Sequence, residues 1–273
     1  MKTIQKNTKK KKRTGAMRSK KYVTVKNSKP FTGAFILLLV VVIVAVSCFF
    51  TLRSNDDSKF FSTDAKVVQG VDVSEHNQDI DWEKLKSETD FAIIRVGYRS
   101  YGKGEIFEDE TAKQNLKSAK KAEIPVGVYF YSQAVTAEEA EEEADFVIKT
   151  IKHMNVELPV FIDYEYAYGS DGQVTGRLAE ANLSPEEATD ILNAFCTRVT
   201  SAGYQAGVYA STYFYNEKLL PSQLHKDTVK WVADYNESIT YTGDYDIWQY
   251  SKTGSLSGNG SKYIDLNYWY LEK

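Results

Sequence analysis

From Val68 onward the sequence repeats one pattern, a short apolar run followed by a longer amphipathic or polar stretch. The runs are Val68–Ser74, Phe91–Tyr98, Pro125–Tyr131, Pro159–Glu165, Gln205–Ala210, Val229–Tyr235, Tyr245–Tyr250 and Tyr263–Trp269. Each has the length of a strand, and near-continuous apolar positions mark strands covered on both faces. Helical stretches separate the first of them, at Ile80–Lys86 and Glu110–Ala122. Thr136-Ala-Glu-Glu139 has the capping-box pattern and opens a stripe of Ala140, Ala144, Val147, Ile148 and Ile151. Ser184-Pro-Glu-Glu187 opens a second, with Ala188, Ile191, Leu192, Phe195 and Val199 on one face. Alternating strands and helices predict an α/β fold with a parallel sheet. An open doubly wound sheet would place a Gly-rich phosphate loop after its first strand. Here that strand runs into Asp72-Val-Ser-Glu-His76, so a compact (β/α) barrel over residues 67–273 is favoured. Its helices thin out towards the C-terminus, where the links are too short or too rich in Gly and Ser, as in Gly254–Gly260.

In such a barrel the chemistry sits at the carboxyl ends of the strands. The first strand ends in Asp72, the fourth in Asp163 and Glu165, the sixth in Asp234 and the eighth in Asp265. Positions two apart on a strand share a face, so Asp163 and Glu165 disturb each other's protonation. Closing the barrel makes Asp72 and Asp265 neighbours. Several carboxyls buried together are costly unless they share protons or do chemistry, and paired acids suit general acid work on a glycosidic bond. The bland alternative is a strand running into an acidic loop. The same strand ends carry Tyr98, Tyr131, Trp231, Tyr235, Trp248, Gln249 and Tyr250. Aromatic faces bind sugar rings, though core packing is the competing role for about half of such residues. No metal or cofactor is expected: His76, His153 and His225 have no ligand spacing.

Charge is segregated along the chain. Twelve of the 34 Lys and Arg and none of the 37 acids fall in residues 1–30, which leaves 22 basic against 37 acidic residues, a net of −15, for the remainder. The run Lys9–Arg13 alone would also suit a nucleic-acid patch or a localisation signal. Residues 31–52 follow without a charge, long enough to cross a bilayer as one helix. The basic flank predicts a cytoplasmic tail (1–30), a transmembrane signal anchor (31–52), a tether (53–66) and the barrel (67–273) outside the cell. A cleaved signal peptide is the competitor, but its apolar core is normally about 7–15 residues. Cys48 and Cys196 cannot plausibly pair, so no disulfide is expected.

The motifs Gly70-Val-Asp-Val-Ser-Glu-His-Asn77 with Ile80-Asp-Trp82, Pro125–Tyr131, Phe161-Ile-Asp-Tyr-Glu165, Trp231-Val-Ala-Asp-Tyr235, Trp248-Gln-Tyr250 and Ile264-Asp-Leu-Asn267 stand in this order. Together they resemble the glycoside hydrolase family 25 lysozymes over about residues 68–270. The resemblance implies an irregular TIM-like barrel and an N-acetylmuramidase cutting the β-1,4 bond between N-acetylmuramic acid and N-acetylglucosamine in peptidoglycan. It implies Glu165 as general acid and Asp163 as its partner, stabilising the charge that develops on the sugar directly or by orienting the substrate's N-acetyl group. It implies Asp72 and Asp265 as supporting acids, and Tyr131, Trp231, Tyr235 and Gln249 as sugar contacts. One departure is Arg95-Val-Gly-Tyr-Arg99, where many members carry Lys-x-Ser/Thr-Glu-Gly. A chitinase-like glycosidase uses the same Asp-x-Glu spacing. A non-catalytic wall-binding barrel would be expected to lose one of the four acids, and all are present.

Overall fold

The computed structural model of the protein describes residues 66–271. The tail, the apolar segment and the tether up to residue 65 lie outside the described residues. The strands are β1 (Val67–Val73), β2 (Phe91–Arg99), β3 (Ile106–Glu108), β4 (Val126–Ser132), β5 (Val160–Tyr164), β6 (Ala167–Tyr168), β7 (Val174–Thr175), β8 (Ala206–Ser211), β9 (Val229–Ala233), β10 (Ile247–Gly254) and β11 (Ile264–Tyr270). All eight expected runs become walls of a closed barrel, ordered β1-β2-β4-β5-β8-β9-β10-β11, with β11 returning to β1. β3 hangs on the edge of β2, and β6 with β7 forms a separate hairpin.

The expected all-parallel sheet is corrected at one strand. β11 runs antiparallel to both β10 and β1. The cause is the link over residues 255–263, shorter than the dozen or so residues a parallel crossover needs. Asp265 therefore stands at the start of its strand, not at its end. That reversal is what puts it at the same mouth as the ends of the parallel strands.

Side chains alternate between two apolar layers. Inside the barrel lie Phe91, Ile93, Phe161, Trp231, Ile247 and Trp269. Between wall and helices lie Val71, Ile94, Val128, Ile162 and Val208, with Ala144, Val147, Leu192 and Phe195 from the helices Ala137–Ile151 and Pro185–Ser201. The interior is filled by rings edge to face, with centroids 5.1 Å apart for Phe161–Trp231 and 4.6 Å for Tyr209–Trp231. Room for them comes from glycine. A Cβ at Gly70 would meet the Phe91 ring at 2.4 Å, and one at Gly207 the Phe161 ring at 2.2 Å. Neither position tolerates a methyl group without displacing the barrel floor.

Both long helices start where the capping residues place them. Ser184 and Glu187 form a reciprocal capping box, while Thr136 accepts from the Glu139 amide. The helix Ala137–Ile151 also buries Glu143, which is outside the expected apolar stripe. Arg99 explains it, donating Nε to the Glu143 carboxylate at 2.6 Å and its other nitrogens to the carbonyls of Gly104 and Glu139, each at 2.8 Å. Cys196 is buried in the helix Pro185–Ser201, and burial pushes its thiol up to about 12, so it packs as a small apolar side chain. Residues 166–182, expected as a polar loop, hold the β6–β7 hairpin and a helical turn at Arg177–Glu180. Arg177 fastens this segment by an ion pair to Glu139 at 2.6 Å, and its backbone N–H donates to the Tyr101 carbonyl at 2.9 Å. Among the described residues no helix is long and apolar enough to cross a membrane.

Candidate active site

The last inward positions of the strands converge on one open cleft of about 1280 Å³. All four acids of the expected set line it: Asp72, Asp163, Glu165 and Asp265. Their placement follows from register. Asp72 faces Asp265 directly across the β1–β11 ladder, and Asp163 sits between Tyr131 on β4 and Tyr209 on β8. Glu165 lies one residue beyond β5, where its carbonyl accepts from Gln133 Nε2 at 2.8 Å.

The four carboxyls differ in their donors. Asp72 Oδ2 accepts from Gln249 Nε2 and from Asn267 Nδ2, both at 2.8 Å. Burial nevertheless pushes its pKa up to about 6, with these two amides and Asp265 opposing the rise. Asp265 is raised to about 8 by burial and by the Asp72 charge, and the two carboxyls share a hydrogen bond. Glu165 is raised to about 7, first by burial and then by Asp72, with Lys252 pulling the other way. Asp163 is held well above the usual carboxylate range by burial, then by Glu165, Asp72 and Asp265, with Arg95 opposing. Its Oδ1 is buried without a hydrogen-bond partner. At neutral pH the cluster therefore keeps part of its protons, and Asp72 with its two amide donors is best suited to carry charge. Burial and the neighbouring carboxyls act in the same direction on Asp163 and Glu165, raising both.

The four expected sugar contacts divide into two kinds. Tyr131 is half-buried in the cleft wall, and Tyr235 is 47% exposed with the Lys252 ammonium 5.1 Å from its ring centre. Trp231 is only 1% exposed, wedged among Tyr129, Phe161 and Tyr209, and its Nε1 donates to Asn267 at 2.8 Å. Gln249 is 2% exposed, and its oxygen already accepts from the hydroxyls of Tyr209 at 2.9 Å and Tyr235 at 2.6 Å. Both line the cleft while nearly buried, with their polar groups engaged by neighbours. Trp248 and Tyr250 point to the other side of β10, where Tyr250 stacks on Tyr268 and Trp248 packs at an angle to both rings. Tyr98 does line the cleft, stacked on Phe107 and under the Arg95 guanidinium.

Asp234, one of the acids expected at the strand ends, points outward. It accepts from Thr212, Asn236 and Thr240, and these bonds hold its pKa down at about 2. It is a loop anchor with no part in the cleft. Four residues of the site went unselected: Arg95, Tyr129, Tyr209 and Asn267. Period two along β2 and β4 puts Arg95 on the face of Ile93, and Tyr129 on that of Tyr131, so parity was the available signal. Arg95 is fixed by ion pairs to Asp109 at 2.8 Å and Glu75 at 2.9 Å, which makes it a preset cation behind the acids.

An irregular β/α barrel with a carboxyl cluster in an aromatic-lined cleft is the architecture of a glycosidase-type barrel. The chain belongs to glycosyl hydrolases family 25, whose family model matches residues 71–259. It is similar to the autolytic lysozyme of Clostridium acetobutylicum, 25% identical over 200 residues that cover 72% of this chain and 55% of that protein. Among solved structures it is similar to the modular autolysin LytC of Streptococcus pneumoniae in complex with a synthetic peptidoglycan ligand. That match is 28% identical with a TM-score of 0.61, covering 75% of this chain and 47% of LytC. A family 25 glycosyl hydrolase from Bacillus anthracis is 25% identical with a TM-score of 0.59, over 74% of this chain and 88% of that one. The chain thus spans about half the length of the lysozyme and the autolysin it matches.

Proposed function

We propose that the protein is a peptidoglycan hydrolase of the muramidase type, cutting the β-1,4 bond between N-acetylmuramic acid and N-acetylglucosamine. One observation carries the reading: four carboxyls share a single cleft, where burial first and the Asp72 carboxyl second raise the pKa of Glu165 to about 7. Glu165 is the general acid, giving that proton to the leaving oxygen. Asp163 is the partner for the positive charge that develops on the sugar. That charge supplies the second cation that the Asp163 carboxyl lacks, since Arg95 alone opposes its protonation among the groups around it. Asp72 and Asp265 are supporting acids that hold the Glu165 proton, and Tyr131 and Tyr235 are contacts for sugar rings. Family membership, the autolytic lysozyme relative and the peptidoglycan ligand of LytC support this substrate.

The direction of the pH dependence follows from these assignments. A general acid works only while protonated, so hydrolysis of purified peptidoglycan falls as pH rises through about 7, where Glu165 releases its proton. A rate that stays level up to pH 9 removes Glu165 from that role.

The location proposed for this activity is the outer face of a bacterial membrane. Residues 31–52 act as an uncleaved anchor, residues 1–30 lie in the cytoplasm, residues 53–66 are a tether and residues 67–273 the catalytic domain. Support comes from the uncharged 22-residue run and its strongly basic leading flank. Alkaline carbonate washing should leave the protein in the membrane fraction, and release into the wash contradicts the anchor. Residues 31–273 carry a net of −15, so capture of an anionic wall by long-range attraction is not expected.

A further inference from the structure

Two buried amides stand behind Asp72, and each is itself locked. The Gln249 side chain gives its nitrogen to Asp72 at 2.8 Å, while its oxygen takes the hydroxyls of Tyr209 at 2.9 Å and Tyr235 at 2.6 Å. The Asn267 side chain gives its nitrogen to Asp72 at 2.8 Å, while its oxygen takes the Trp231 indole N–H at 2.8 Å. An amide can present either its donor or its acceptor end, and an acceptor turned to a carboxylate repels it. Here three donors hold both oxygens away from Asp72, so that only N–H groups face it. Asn267 is fully buried and Gln249 nearly so, which leaves neither free to turn.

We propose that Asn267 and Gln249 are positioning residues that keep Asp72 a carboxylate, and that Trp231, Tyr209 and Tyr235 fix the orientation in which they do so. The proposal rests on the reading of Glu165 as general acid and adds how its proton is kept. Donors to the charged form favour it, and a charged Asp72 in turn favours protonated Glu165 and Asp265. The charged and titratable groups around Asp72 are Asp265 on β11, Asp163 and Glu165 at the end of β5, Tyr129 on β4, Tyr209 on β8 and Tyr235 beyond β9. Arg95 acts from β2 on Asp163 and Tyr129, and Lys252 from β10 on Glu165 and Asp265. Asp265 shares a hydrogen bond with Asp72 and a backbone N–H adds another, while the two amides are the neutral side-chain donors fixed against its charge.

Losing a donor raises the Asp72 pKa, Asp72 then stays neutral at higher pH, and Glu165 loses the neighbour that holds its proton. The high-pH limb of the rate must therefore move to lower pH. The test is the pH profile of kcat on purified peptidoglycan for the full-length protein in detergent and its variants Asn267→Leu, Gln249→Met and Trp231→Phe. The first two are expected to move the limb down by about one pH unit, with about a fivefold lower kcat at pH 7 and KM within about twofold. Trp231→Phe keeps a ring in the barrel floor and touches no carboxyl, and it should shift the limb the same way by less. If Asn267→Leu fails to fold, by its melting curve, the other two variants decide. Folded variants whose activity drops equally at every pH, with the limb unmoved, overturn the proposal and reduce these residues to packing. A wild-type protein that cuts no glycan at any pH overturns the functional reading as well, so the two failures are distinguishable.

Discussion

Glu165→Gln is expected to lower peptidoglycan hydrolysis by about a thousandfold or more while leaving the fold unchanged. The glutamine keeps the shape of the side chain but has no proton acid enough for the leaving oxygen. Nothing in the barrel depends on the Glu165 carboxylate as an acceptor, because the hydrogen bond that fixes this residue uses its backbone carbonyl. Substrate binding should persist, so the loss belongs in kcat and not in KM. The assay is release of soluble glycan from purified peptidoglycan, with melting temperature measured alongside. Full retention of activity sinks the assignment, and a variant that fails to melt cooperatively shows that the carboxyl has a structural role as well.

Asp163→Asn is expected to lower kcat by roughly a hundred- to a thousandfold, through loss of the carboxyl that becomes the negative partner only as the cation develops opposite it. It should also stabilise the protein. Asp163 has a pKa raised in the folded state by burial and by three carboxyl neighbours. Below the pKa of an ordinary carboxyl both folded and unfolded chains hold the proton, and the group has no effect. As pH rises above that value the unfolded chain releases the proton while the folded chain keeps it, so stability falls with pH up to the raised folded pKa. An asparagine cannot ionise and escapes this loss, and the buried Oδ1 it replaces has no partner to forfeit. The variant should therefore melt at a higher temperature than wild type at pH 7, and by a smaller margin near pH 4. A lower melting temperature at neutral pH contradicts the electrostatic account of the site.

The parts of this picture that were legible in the sequence are those written in local pattern. Strand-length apolar runs located every wall of the barrel, and Asp163 and Glu165 two residues apart announced a shared face. Direction was not written there. The run from Ile264 to Tyr270 has the same pattern whether it runs up or down, and only the short link over residues 255–263 decides it. The role of Asp234 was hidden for a related reason: a carboxylate just past a strand end turns inward or outward according to its loop, and Thr240 six residues on captures it. Trp231 and Gln249 were legible as members of the site, but not the hydrogen bonds by which they hold their neighbours. An aromatic or an amide at a strand end has the same composition whether its polar group faces a ligand or a neighbouring strand. Only the register that brings Asn267 beneath Trp231, and Tyr209 beside Gln249, separates the two. The raised pKa of Asp163 is likewise a sum over strands, since the groups that act on it come from β1, β2 and β11 as well as from its own.

The central claim is which bond is cut, and the new reducing end reads it directly. Peptidoglycan digested with the protein, reduced with borohydride and analysed by mass spectrometry should yield fragments ending in reduced N-acetylmuramic acid. Fragments ending in reduced N-acetylglucosamine would contradict the account.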